Sequence, residues 1–151
     1  MKIASIVNRK GKHVESVSET APLAQVVETM HRSKIGSVVV LDRRSNAVLG
    51  IVSQQELVAA TAARGGNALQ LPVLMFMRKP VLFCACQDDA ATVMRAMTRE
   101  RSRHAVVQTT GAVLAGLVSL GDLVAALLEE AQLEAGVLRD MARSRLLSLP
   151  G

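Results

Sequence analysis

Short β-branched runs alternate with amphipathic stretches along this chain, and the alternation occurs twice in the same order. In the first half, Val14–Val17 reads as a strand. Thr20 is placed to cap a helix in which Leu23, Val26, Val27 and Met30 keep helical spacing. Val38–Leu41 and Val48–Val52 are β-branched runs joined by the polar turn Asp42-Arg43-Arg44-Ser45-Asn46, a hairpin pattern. Ser53 opens a helix through Leu57, Val58 and Ala60 that stops at Arg64-Gly65-Gly66. The second half repeats the series with strand Val81–Ala85, helix Ala90–Thr98, strands Ala105–Gln108 and Val113–Val118, and a helix after Ser119. Each half is predicted as β-α-β-β-α, which makes the chain an α/β protein.

The halves match residue by residue. Leu23 to Val40 aligns with Ala90 to Val107 at a shift of 67, placing Met30 on Met97, Arg32 on Arg99 and Lys34 on Arg101. Beyond the turn the shift is 66, and Gly50-Ile51-Val52-Ser53-Gln54-Gln55-Glu56-Leu57 falls on Gly116-Leu117-Val118-Ser119-Leu120-Gly121-Asp122-Leu123. A weaker echo upstream sets Ile3, Ile6 and Val7 against Val73, Phe76 and Met77. The predicted organisation is a first repeat over 1–64, a linker over 65–70, a second repeat over 71–128 and a helical tail over 129–151. An internal repeat of this length is one small unit built twice.

A chain of 151 residues can bury one compact core, whereas two halves of about 60 residues would each be marginal alone. The halves are therefore expected to pack on each other. Half of the residues are apolar, with no Trp or Tyr and only Phe76 and Phe83 as aromatics, so the core must be aliphatic. The last helix continues well past the point where its counterpart stops at Arg64-Gly65-Gly66, with apolar residues on a four-three spacing: Leu120, Val124, Leu127, Ala131, Leu138 and Met141, with Glu134 interrupting the seam. Such a helix is expected to meet a partner, a second copy in a homodimer, the alternative being that it lies back on its own domain.

At each repeat's last strand-to-helix junction stands a serine followed three residues later by an acid. Ser53 with Glu56 satisfies a capping box outright, while the shorter Asp122 is expected to reach back to Ser119 less well. The same geometry suits an anionic ligand, because free N–H groups at a helix N-terminus attract phosphate and a hydroxyl adds a donor. Basic residues recur nearby at Arg32, Lys34, Arg99, Arg101 and Arg103. As cations close to helix C-termini they also have a purely local explanation.

These features together resemble a pair of cystathionine β-synthase (CBS) domains, the arrangement called a Bateman module, over roughly residues 3 to 128. The likeness is closest from Arg103-His104-Ala105-Val106-Val107 through Leu117-Val118-Ser119-Leu120-Gly121-Asp122, and it extends to stand-alone bacterial CBS-pair proteins with a helical tail. The resemblance implies two repeats packed about a pseudo-twofold axis, with an adenosine ligand in the cleft between them. The family's acid grips the ribose, its hydroxyl helps hold phosphate, and adenine lies between aliphatic side chains. Carried over, the second site takes Ser119, Asp122, His104, Arg103, Ala105 and Arg101, and the first takes Ser53, Glu56, Lys34, Gly36, Ser37 and Val38. His104 matches a position where the family often carries a phosphate-facing side chain. Two departures favour a rival reading as a structural or protein-interaction module with decayed sites: Glu56 in place of the usual Asp, and Ala105-Val106 in place of a common Leu-Pro.

The implied ligand is AMP, ADP, ATP or a dinucleotide such as NAD, with no cofactor required. Any regulated effector is expected to be a separate chain. Catalysis is not expected: Ser119 is explained as a cap, no oxyanion hole is indicated, and Arg64-Gly65-Gly66-Asn67 lacks the spacing of a phosphate or dinucleotide loop. Cys84 and Cys86 read as reduced structural thiols, and His13, His31 and His104 have no zinc-type spacing. A net charge of +5 raises nucleic acid as a partner, but no aromatic platform or recognition helix supports it. No apolar run reaches membrane-span length and Met1-Lys2-Ile3-Ala4-Ser5 does not begin a signal peptide, so a cytoplasmic protein is expected.

Overall fold

The computed structural model describes residues 1–150, and Gly151, the end of the predicted tail, lies outside the described residues. The elements run α1 (Ile3–Lys10), β1 (Ser16–Ser18), α2 (Leu23–Ser33), β2 (Ser37–Leu41), β3 (Val48–Ser53) and α3 (Gln54–Arg64). They continue as β4 (Phe83–Ala85), α4 (Ala90–Glu100), β5 (His104–Gln108), β6 (Leu114–Ser119) and α5 (Leu120–Leu147), with 3-10 turns at Gly65–Gln70 and Val73–Met75. The described residues form two three-stranded sheets, ordered β1-β2-β3 and β4-β5-β6, each with a parallel first pair and an antiparallel hairpin. Equivalent residues hold equivalent places: Ser37 pairs with Ser53 in one hairpin and His104 with Ser119 in the other.

Two local expectations are corrected. Thr20 does not cap α2; the residue before its first turn is Pro22, with no side-chain cap. The N–H that a cap would serve is already used, because Leu23 N–H donates to the Leu71 carbonyl at 2.9 Å. The stretch over 65–70 is accordingly an ordered 3-10 turn, with Ala68 in the core of the first sheet. The apolar phase of the last helix also differs. Leu123 and Ala126 are buried against the second sheet, with Leu120 and Leu127 partly so, which takes two residues away from the predicted seam.

The two repeats exchange their leading segments. Ile3, Ile6 and Val7 of α1 sit in the core of the second sheet beside Val93, Met97, Val107 and Leu123. Val73, Phe76 and Met77 sit in the core of the first sheet beside Val26, Val40 and Val52. Between the sheets, Val39, Ile51 and Val106 form a third buried cluster flanked by Val14, Val81 and Leu117. The repeat glycines permit the exchange. A Cβ on Gly116 would stand 3.1 Å from Val7 Cγ1, and one on Gly50 would stand 2.7 Å from Met77 Sδ and 3.0 Å from the Arg78 carbonyl oxygen.

Gly50→Ala should therefore destabilise the fold by about 1–3 kcal/mol, the scale of overpacking. That corresponds to a melting midpoint lowered by roughly 2–4 °C per kcal/mol for a chain of this size. Gly66→Ala is the control, since a Cβ there meets nothing within 4 Å. Equal midpoints for both variants would show that the close approach at Gly50 is not needed.

Candidate functional site

Where the two sheets meet, the starts of α3 and α5 face one cleft of about 680 Å³, within the range of small-molecule sites. Its apolar wall is symmetric: Val14 and Val81 are equivalent across the repeats, as are Ile51 and Leu117, and all four line it. Polar residues close the rest. The first repeat contributes Lys34, Gly36, Ser37, Ser53 and Glu56, and the second contributes Arg103, His104 and Ser119. Lys10, Lys34, Arg78 and Arg103 stand against the carboxylates Glu15 and Glu56 along the lining, so the charge favours an anion.

Not every residue carried over from the resemblance reaches this space. Val38 and Ala105 are fully buried in the sheet cores. Neither they, Arg101 nor Asp122 line the cleft. Lys34 and Arg101 occupy left-handed positions at the ends of α2 and α4, with φ of 54° and 53°. The Arg101 carbonyl accepts a hydrogen bond from the Arg78 guanidinium. Lys10, His13, Glu15 and Arg78 belong to the lining and were not anticipated. Arg78 follows directly on Met77, so the weak upstream echo is the signal that points to it, whereas Lys10 stands three residues past Val7 and the echo sets Asn8, not Lys10, against Arg78.

Both helix starts are full capping boxes. Ser53 N–H donates to Glu56 Oε1 at 2.9 Å, and Gln55 N–H donates to Ser53 Oγ at 3.3 Å. Asp122 closes its box equally well, contrary to the expectation for its shorter side chain. Ser119 N–H donates to Asp122 Oδ2 at 2.8 Å, and Asp122 N–H donates to Ser119 Oγ at 3.1 Å. The extended backbone of Ser119, at φ −101° and ψ 161°, turns its N–H toward the carboxylate. The same oxygen accepts from Lys10 Nζ at 2.6 Å, and Nζ also donates to the Leu117 carbonyl at 3.0 Å. Burial raises the Asp122 pKa, but the Lys10 and Ser119 hydrogen bonds outweigh it and hold the carboxyl below its usual range. An ammonium from α1 thus sits on the carboxylate assigned to the ribose.

His104 is half-buried at the start of β5. Burial lowers its pKa, and Lys10 and Arg78 push in the same direction against the opposite pull of Glu56 and Asp122. In the same cleft, Glu15 is 3.2 Å from His13 Nε2 and accepts a hydrogen bond from Ser33 Oγ at 3.0 Å, contacts that lower its pKa. Elsewhere Cys84 is buried, with its thiol pushed up to about 12 mainly by burial, and Cys86 is a free thiol. Among the described residues no cluster of three or more His, Cys, Asp or Glu side chains could hold a metal ion, and no helix is long and apolar enough to cross a membrane.

The His104 shift has a sign that can be tested. The unfolded imidazole titrates near 6.5 and the folded one lower, so the unfolded state takes up its proton first. Stability should therefore fall as pH drops below about 6.5 and through the folded value. His104→Gln should flatten that part of the profile, measured by thermal melts between pH 7.5 and pH 5. A variant as pH-sensitive as the parent would show that another group carries the dependence.

The sequence profile of the CBS domain matches residues 4–63 and 73–129. Among solved structures, a CBS-domain containing protein of Agrobacterium tumefaciens is 36% identical and superposes with a TM-score of 0.76, covering 83% of this chain and 92% of its own. A CBS domain protein of Pyrobaculum aerophilum, complexed with AMP, is 24% identical with a TM-score of 0.74, covering 87% of this chain and 99% of its own. The CBS domain pair of protein MJ0100, in complex with 5′-methylthioadenosine and S-adenosyl-L-methionine, is 12% identical with a TM-score of 0.74, covering 86% of this chain and 98% of its own.

Proposed function

The chain belongs to the CBS domain family, and from that premise we propose that it is a regulatory module binding an adenosine-containing ligand in the cleft between its repeats. One observation carries this reading: two helix N-termini, each with a capping serine, open into one cleft with aliphatic walls and excess positive charge. Each part has a counterpart in such a ligand. Val14, Val81, Ile51 and Leu117 offer faces for a purine, while the helix starts with Arg103, His104 and Lys34 offer donors to phosphate. Asp122 does not line the cleft while Lys10 sits on its Oδ2, so a ribose reaches this carboxylate only by displacing Lys10, and the released ammonium then lies close to the phosphates.

The candidates are AMP, ADP, ATP and NAD. The ligands of the MJ0100 domain pair add S-adenosylmethionine and 5′-methylthioadenosine. Binding across the cleft bridges both repeats, so occupancy is transmitted as a change in how they sit together, read by a separate effector. No catalytic role is assigned to Ser119, His104 or Asp122. A second reading, an interaction module independent of nucleotide, is favoured by one fact: Glu56 and Asp122 already serve in capping boxes.

Calorimetric titration of these compounds separates the readings. Asp122→Ala should weaken the adenosine ligand by about 1.5–3 kcal/mol, the scale of hydrogen bonds to a charged group, or roughly tenfold to a hundredfold. Glu56→Ala should matter less. The Asp122 variant keeps the Ser119 cap but loses the carboxylate that accepts from the Ser119 N–H, worth about 0.5–1.5 kcal/mol of stability, so affinity is read well below its melting midpoint. At 100 times its dissociation constant the ligand should add about 2.7 kcal/mol to folding, visible as a thermal shift that GTP and ribose 5-phosphate do not produce. No binding by any adenine compound at millimolar concentration would leave the interaction-module reading.

A further inference from the structure

One corner of the cleft breaks its symmetry, and the geometry points to Glu15 as the residue that selects the ligand's base, accepting a hydrogen bond from the exocyclic amine of adenine. This inference rests on the adenosine reading and adds base specificity to it. Glu15 and Leu82 hold the same backbone place in the two repeats. Val39 N–H donates to the Glu15 carbonyl at 3.1 Å, and Val106 N–H donates to the Leu82 carbonyl at 2.9 Å. Their surroundings differ. Leu82 packs against the core of the second sheet, and the residues equivalent to His13 and Ser33 are Pro80 and Glu100. Glu15 instead lines the cleft together with His13 and Ser33, beside the aliphatic side chains of Val14, Ile35 and Ile51.

The carboxylate is fixed by one oxygen and open at the other. His13 Nε2 stands 3.2 Å from Oε1, and Ser33 Oγ donates to the same oxygen at 3.0 Å, while Oε2 has no hydrogen-bond partner among the described residues. An ionised carboxylate only accepts, so Oε2 calls for a donor. The side chain is 26% exposed, within reach of a ligand yet partly withdrawn from water, where such a bond is stronger. A purine lying on Val14 and Ile51 brings its edge to this corner. The amine of adenine donates to Oε2, whereas the ring carbonyl of hypoxanthine or guanine in the same pose sets oxygen against oxygen. Glu56, the other carboxylate of the first repeat's lining, is engaged by the N–H and hydroxyl of Ser53. The second repeat lines the cleft with Arg103, His104 and Ser119 and with no carboxylate. The charge therefore orients a nucleotide with its base toward Glu15 and its phosphate toward β5 and α5.

Calorimetric titration of the full chain with AMP, IMP and GMP tests this. The parent protein should bind AMP about tenfold to a hundredfold more tightly than IMP, the scale of one hydrogen bond to a charged group. Glu15→Gln keeps the shape and can turn its amide N–H toward a carbonyl, so AMP and IMP should come within about threefold of each other. Glu15→Leu, which copies the residue at the equivalent place in the second repeat, should also remove the preference. A merely structural role for Glu15 would lower both affinities together and leave their ratio in place. A ratio that both variants leave unchanged overturns the proposal, and so does a parent protein that binds IMP or GMP as tightly as AMP. Binding of none of the three nucleotides overturns the adenosine reading along with this one, so the two failures are told apart.

Discussion

The mutual insertion of leading segments governs this structure. Neither sheet completes its core from its own repeat: the second needs Ile3, Ile6 and Val7, and the first needs Val73, Phe76 and Met77. Each insertion lands on a repeat glycine, Gly116 or Gly50, where a Cβ would crowd Val7 or collide with Met77. The two repeats must consequently fold as one body. The cleft inherits its position from the same constraint, because the inserted segments deliver Lys10 and Arg78 to its lining just as the hairpins deliver Ser53 and Ser119.

That arrangement makes the site nearly symmetric in backbone and asymmetric in charge. Ser37 and His104 are equivalent strand positions facing Ser53 and Ser119 across their hairpins. Lys10 occupies the carboxylate of the second helix start, while Glu56 at the first is hydrogen-bonded, among the described residues, within its own turn, to the N–H and hydroxyl of Ser53. Exposed ion pairs are worth about 0–1 kcal/mol, so displacing Lys10 costs a ligand little compared with what several charge-assisted hydrogen bonds supply. The capping boxes hold the serines and acids in fixed places without a ligand, a form of preorganisation.

Much of this was legible in the sequence because the duplication supplies an internal control. The hairpins and the junction serines follow from local pattern and each was read twice, while the stop at Gly65 follows from its own Gly65-Gly66 pair in the first repeat alone. What local pattern could not supply was tertiary. Thr20 looked like a cap because the Leu71 carbonyl that replaces it lies 48 residues away in the chain. Val38 and Ala105 belong to the right strand segments, yet strand alternation turns both side chains into the sheet cores. Lys10 is a plain terminal cation until α1 is seen to cross onto the second repeat. Leu120 and Leu127 read as part of an outward seam until Leu123 and Ala126 are seen docked on the second sheet, which turns both toward the body.

The central claim is that both helix starts face one adenosine-binding cleft. Amide hydrogen exchange with and without saturating AMP measures it most directly, resolved over residues 53–57, 119–123 and 8–12. The account predicts slowed exchange at the start of α5, a smaller slowing at the start of α3, and a change at the end of α1 as Lys10 leaves Asp122. Unchanged exchange in all three segments, with AMP present in large excess, would contradict it.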